Sequence, residues 1–150
     1  MEVYKICKAE YASALKASGI ENRWNRKNQF VVYTGSSRSL CALELIAHRS
    51  GIMPQKSYKS MIISFGDSPD LVKEIGFKEL PKNWFKLESY PKLQEIGSRW
   101  YTGNESLVLK VPSAIIQKEF NYVINTEHPL FASEIKLMQS EDFFWDERIL

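Results

Sequence analysis

The sequence predicts an α+β fold: a single compact domain with a mixed β-sheet core and flanking helices. Short runs rich in β-branched and aromatic residues recur along most of the chain. Helical patterns fall between some of these runs, without the regular β-α-β alternation of a doubly wound sheet. The 150 residues hold no internal repeat, low-complexity stretch or linker, so residues 1–150 read as one core.

Val3 to Cys7 alternates enough to form a first strand. Ala9 to Ser18 is expected to be a short helix, closed by Gly19. Phe30 to Thr34 reads as a buried strand. Ser36 or Ser37 then offers an N-cap for a helix from Arg38 to Ser50, stopped by Gly51 and Pro54. Tyr58 to Phe65 is the next strand. Gly66 to Glu88, rich in charge and punctuated by Gly and Pro, reads as loops with a short helix near Leu71. Leu93 to Tyr101 follows Pro91 as a helix. Leu107 to Val111 is a strand stopped by Pro112, and Tyr122 to Ile124 and Glu134 to Met138 complete the set.

Composition narrows the function. Twenty basic and eighteen acidic side chains leave a net charge of +2, too balanced for a surface built to hold a nucleic-acid backbone. Arg23, Arg26 and Lys27 beside Trp24 are too few to change that, and a solvated loop accounts for them. No run approaches the roughly 18 apolar residues of a membrane span, and the polar N-terminus lacks a signal peptide's apolar segment, so the chain is expected to be cytoplasmic. Cys7 and Cys41 read as buried reduced thiols. No set of ligands suggests a metal.

One residue stands out in the pattern. At 100° per residue, Leu40, Cys41, Leu43, Leu45 and Ala47 share one arc of the Arg38–Ser50 helix, and Glu44 falls near its middle. A carboxylate there is either paired, with His48 one turn on as a natural partner, or poised at the floor of a cleft. Arg23 offers a planar fork that suits a phosphate, or stacks on Trp24. Tyr33 ends an apolar strand and is by default a core aromatic. Ser113 stands at the exit of a strand, as a site residue or as the N-cap of a turn through Ile116. No G-x-S-x-G elbow surrounds it, so a serine hydrolase is a poor fit. Asn121, Asn125 and His128 suggest turn chemistry first and pocket lining second.

Taken in order, these pieces resemble the RES domain. Its N-terminal signature resembles Asn22-Arg23-Trp24-Asn25, Val31-Val32-Tyr33-Thr34 and Leu43-Glu44. Its C-terminal signature resembles Gly97-Ser98-Arg99-Trp100, Val111-Pro112-Ser113-Ala114 and Asn121-Tyr122-Val123-Ile124-Asn125 with His128-Pro129. The Arg, Glu and Ser for which the family is named map onto Arg23, Glu44 and Ser113, and the resemblance spans about residues 3–131. Three departures stand out: Glu21-Asn22 where glycines are frequent, Lys5 where Arg is common, and Thr126 where Pro is common.

The resemblance implies a fold related to ADP-ribosyltransferases. It implies the toxin of a toxin–antitoxin pair, which cleaves the nicotinamide–ribose bond of NAD by hydrolysis or phosphorolysis. The alternatives are an ADP-ribosyltransferase acting on a protein, or a weakly active regulatory module of the same fold. NAD is then substrate rather than cofactor, and the expected partner is an Xre-type helix-turn-helix antitoxin, with a homodimer also compatible. The implied catalytic set is Glu44, Arg23, Tyr33 and Ser113. Glu44 would stabilise an oxocarbenium-like ribose and Arg23 would bind the pyrophosphate. Tyr33 would stack on or hydrogen-bond the nicotinamide riboside, Ser113 would fix Glu44 or the substrate, and Asn121 and Asn125 would contact substrate.

Overall fold

The computed structural model describes residues 1–48 and 51–150. Seven strands form one mixed sheet: β1 (Glu2–Lys8), β2 (Val31–Gly35), β3 (Tyr58–Ser64), β4 (Val72–Glu74), β5 (Val108–Pro112), β6 (Phe120–Asn125) and β7 (Lys136–Phe143). Three α-helices accompany them: α1 (Arg38–Ala47), α2 (Tyr90–Gly103) and α3 (Phe131–Glu134). The α+β class stands.

The strand order is β4-β5-β6-β2-β1-β3-β7, antiparallel throughout except for the β4–β5 pair. The sheet has a weak seam. β1 and β3 pair along their full length, and so do β2 and β6, but β1 meets β2 only through Tyr4 and Gly35.

Alternation along the strands sends the apolar side chains to two separate cores. On one face Val3, Val32, Met61, Ile63, Tyr122 and Ile124 pack with Ala12 and Ile135. On the other, Val31, Leu109, Val111 and Val123 pack under Leu93 and Trp100 of α2, with Trp24, Ile75 and Trp84 around them. The second face carries the candidate site.

Several boundaries differ from the sequence expectations. The helix expected over Ala9 to Ser18 is a single 3-10 turn, Ala9–Tyr11. Tertiary bonds tie the segment to its neighbours instead: the Ala9 amide donates to the Ser57 carbonyl, and the Ser140 hydroxyl donates to that of Ala12. Ala12, Leu15 and Ala17 instead pack onto the first core. The short helix expected near Leu71 is the edge strand β4, beside β5. Its charges are satisfied sideways, Lys73 by Glu105 and Glu74 by Lys110, which suits an exposed sheet edge.

Ser37 is the N-cap of α1, its hydroxyl accepting from the Leu40 amide. The helix ends at Ala47, with His48 as its C-cap. The expectation that it runs to Ser50 includes Arg49 and Ser50, which lie outside the described residues. α2 starts earlier and ends later than expected, with Pro91 inside its first turn, where its missing N–H costs nothing. β7 runs to Phe143, well past Met138, because its polar residues edge the sheet rather than leave it.

Candidate active site

Gly35 and Asn121 stand opposite each other where β2 and β6 pair, and Val111 of β5 stands opposite Asn121. Opposed residues point to the same face, and so do Tyr33 and Gly35, two apart on β2. A Cβ on Gly35 would lie 2.8 Å from the Cys41 sulfur and 3.5 Å from Asn121 Oδ1. α1 therefore lies on the face that α2 covers, and the bare backbone of Gly35 leaves the room for it.

Glu44 projects from α1 into this region. Its Oε1 accepts from Ser113 Oγ at 2.8 Å and from Asn121 Nδ2 at 2.6 Å. Among the described residues no donor reaches Oε2. The setting differs from the apolar arc that the helical projection suggests. Of α1 only Leu40 is buried; Leu43 and Ile46 are each 40% exposed, and Ala47 is exposed as well. Glu44 is half-buried, held by neutral hydrogen-bond donors rather than by an oily helix face. The pattern misled because α1 meets the sheet through Leu40 and Cys41, and much of the supposed apolar arc stays in solvent.

Ser113 leaves β5 directly after Pro112 and is fully buried. Its hydroxyl accepts from the amides of Ile115 and Ile116, both at 3.1 Å, while it donates to Glu44. One hydroxyl thus organises the turn through Ile116 and orients the Glu44 carboxylate. Bonds accepted from two amides polarise the hydroxyl and strengthen its own donation. Ser113→Ala strands both amides, so stability is expected to fall by about 1–3 kcal/mol, read as a lowered denaturant midpoint at unchanged slope. A midpoint equal to that of the unaltered protein would show that the hydroxyl does not hold the turn.

Arg23 sits in a tight turn bridged between Asn22 and Asn25. Its Nη1 donates to the carbonyls of Trp84 and Phe85, each at 3.3 Å, and its guanidinium lies over the Tyr90 ring, 4.7 Å from the centroid. The stack on Trp24 considered from the sequence is not the one formed; Trp24 is buried in the second core. Tyr33 ties this turn to the sheet. Its hydroxyl accepts from the Trp24 amide at 3.0 Å and donates to Asn25 Oδ1 at 2.6 Å. Burial pushes its pKa far above the ordinary tyrosine value, so it stays a neutral phenol. Both ends of that hydroxyl are in use, which leaves the ring rather than the oxygen for a ligand.

Asn125 does not join the cluster. At the far end of β6 its Oδ1 accepts from the Glu127 amide and its Nδ2 donates to Asn104 Oδ1, closing a turn. His128 likewise accepts, at Nδ1, from the Leu130 amide. These two residues do turn chemistry.

Cys41, one turn before Glu44, donates to the Tyr4 carbonyl at 3.0 Å, and burial pushes its thiol up to about 12. It is a packed thiol and no nucleophile at neutral pH. Both cysteines are free and half-buried. Among the described residues no group of three or more His, Cys, Asp or Glu could hold a metal ion. Two hollows, of about 280 and 350 Å³, lie elsewhere and share no residue with the cluster. No helix among the described residues is long and apolar enough to cross a membrane.

Sequence reasoning overlooked the support of this site. Gly97 enters the sequence reading only as part of the RES-like stretch Gly97-Ser98-Arg99-Trp100, and Gly35, one residue past the expected strand, not at all. A Cβ on Gly97 would fall 1.7 Å from the Trp24 carbonyl oxygen, so α2 and the Arg23 turn touch backbone to backbone. Tyr90 carried no signal.

The family profile of the RES domain matches residues 2–146. The chain is 29% identical over 153 residues to a protein named toxin Res from Yersinia enterocolitica serotype O:8 / biotype 1B, covering 99% of each chain. It is 32% identical over 133 residues to the Prs ADP-ribosylating toxin of a Sphingobium species, covering 85% of this chain and 80% of the relative. A toxin Res from Pseudomonas putida is 30% identical over 131 residues, covering 87% and 86%. The match over nearly the whole length, on a fold that brings Glu44 and Ser113 together, places the chain in the RES domain family.

Proposed function

We propose that this protein is a toxin that consumes NAD by breaking the nicotinamide–ribose bond. One observation carries the reading: a carboxylate held by Ser113 and Asn121 through one oxygen, with no donor among the described residues on the other. It stands on the sheet face that also bears the Arg23 turn. Tyr33 and Gly35 are two residues apart on β2, roughly 7 Å along the strand. In this reading the Glu44 carboxylate meets the ribose and the Arg23 guanidinium meets the pyrophosphate of one dinucleotide.

In this reading the bond from the ribose C1′ to the nicotinamide nitrogen breaks, and its electron pair leaves with neutral nicotinamide. Positive charge develops on the ribose, and Glu44 stabilises it through Oε2, which also accepts from a ribose hydroxyl. Ser113 and Asn121 keep the carboxylate from rotating away. Arg23 binds the pyrophosphate, and the Tyr33 ring packs against the nicotinamide riboside. With water as acceptor, its oxygen joins C1′ and its proton goes to solvent, giving ADP-ribose. No step calls for a metal.

A protein acceptor is the second reading, favoured by the name of the Sphingobium relative, an ADP-ribosylating toxin. The toxin role brings with it an antitoxin, for which an Xre-type helix-turn-helix protein is the expected class.

The test is release of nicotinamide from NAD by the purified protein, with chromatographic analysis of the other product. Free ADP-ribose, ADP-ribose phosphate or a mass increase on a protein identifies the acceptor. Absence of nicotinamide release in the presence of every acceptor ends the proposal. Within the active protein, Arg23→Ala is expected to raise KM for NAD roughly 10- to 100-fold by removing a charge-assisted bidentate contact, with a smaller change in kcat. An unchanged KM takes Arg23 out of substrate binding.

A further inference from the structure

The grip on Arg23 has a definite geometry. Nη1 is held end-on by two backbone carbonyls, of Trp84 and Phe85. One face of the guanidinium is covered by the Tyr90 ring. Among the described residues nothing accepts from Nε or Nη2, so the edge formed by these two nitrogens is the one that remains. That edge is a parallel two-donor fork, which fits two oxygens of one phosphate.

What holds the fork is a single stripe of α2. Tyr90 lies under the guanidinium, and Gln94 Nε2 donates to the Asn22 carbonyl at 2.9 Å. Gly97 meets the Trp24 carbonyl, Ser98 accepts from Gln29 Nε2 at 2.7 Å, and the Tyr101 hydroxyl accepts from the Phe30 amide at 3.2 Å. Positions 90, 94, 97, 98 and 101 recur at the spacing of one helix face. The whole turn from Asn22 to Phe30 is therefore docked on that face, and Tyr90 is the member that reaches the charged group.

We infer that Tyr90, with Gln94 behind it, is a positioning residue that presets the open Nε–Nη2 edge of Arg23 to receive a phosphate before any ligand arrives. Arginine carries several rotatable bonds, and freezing them on binding weakens affinity. A ring already stacked on the guanidinium removes that loss in advance. The ring does this by its face, so the phenol oxygen is dispensable and phenylalanine suffices.

That the phosphate belongs to NAD rests on the function proposed above; the preset itself does not, and two measurements separate them. In the first, Arg23 is labelled with phenylglyoxal in the ligand-free protein and read by peptide mass spectrometry, with Arg99, bonded to Glu95 on the exposed side of α2, as internal reference. Tyr90→Leu is expected to speed labelling of Arg23 several-fold and leave Arg99 unchanged, whereas Tyr90→Phe labels as the unaltered protein does. In the second, Tyr90→Leu raises KM for NAD roughly ten-fold with kcat within about two-fold, and Tyr90→Phe restores KM. Gln94→Leu shifts both readouts in the same direction by a smaller factor. Equal labelling of Arg23 in Tyr90→Leu and the unaltered protein overturns the inference whether or not NAD is the substrate. Faster labelling without NAD turnover in any variant leaves the preset standing and removes the NAD reading alone. Should Tyr90→Leu fold poorly, faster labelling of Arg23 in Gln94→Leu supports the preset, and labelling at the unaltered rate overturns it.

Discussion

Glu44→Gln is expected to cut nicotinamide release from NAD by roughly a thousand-fold while leaving the fold intact. The substitution keeps the shape, and its amide oxygen still accepts from Ser113 and Asn121, the two donors that converge on Oε1. What disappears is the negative charge that faces the ribose when the nicotinamide leaves. Because the carboxylate is half-buried and held by neutral donors, no opposite charge loses its partner among the described residues. The melting temperature should therefore move by no more than about 3 °C, the equivalent of roughly 1 kcal/mol in a chain of this size. Turnover near the unaltered rate by Glu44→Gln removes the carboxylate from the chemistry. A collapse in stability would assign it a structural role instead.

Gly97→Ala should have the largest effect on the fold of any single methyl addition near the site. In an ordinary helix interior the change gains stability, by about 0.5–1 kcal/mol, since glycine loses more backbone entropy on folding. Here the new Cβ would come within 1.7 Å of the Trp24 carbonyl oxygen. That atom is backbone, and no rotamer change can move it aside. Either α2 withdraws from the second core, where Leu93 and Trp100 are anchored, or the Arg23 turn is pushed off the helix. Overpacking of this kind costs about 1–3 kcal/mol or more, a fall of roughly 3–9 °C in melting temperature. NAD turnover is expected to fall with it, since Arg23 and the Tyr33–Asn25 bond ride on the displaced turn. Calorimetry checks the first half, and an unchanged or raised melting temperature would contradict the close approach.

The parts of the fold legible in the sequence are those governed by local rules. β2, β3 and β5 are runs of β-branched and apolar residues ended by Gly, Ser or Pro. α1 begins where a serine hydroxyl satisfies a free amide, a bond between residues three apart. Segments read wrongly are those where distant partners outbid local preference. Ala9 to Ser18 has helix-forming composition, yet Ala12, Leu15 and Ala17 are drawn onto the first core and Ser57 and Ser140 tie the segment down. Val72–Glu74 looks too charged for a strand until Lys110 and Glu105 stand beside it.

The site divides in the same way. By itself the sequence determined the family resemblance and the candidate side chains it names, Arg23, Glu44 and Ser113, because residue identity and order along the chain are read directly from it. Only the tertiary structure decided how they are held. It moved Glu44 from a supposed oily face to a pair of donors, used up the Tyr33 hydroxyl in a turn, and set Asn125 apart at the other end of β6. It also brought Gly35, Gly97 and Tyr90 into view, through a missing methyl or an aromatic face set against an atom far away in the chain. Contacts of that kind depend on distances between elements, and those distances follow from how two cores close on either face of a sheet, which no short stretch of residues encodes.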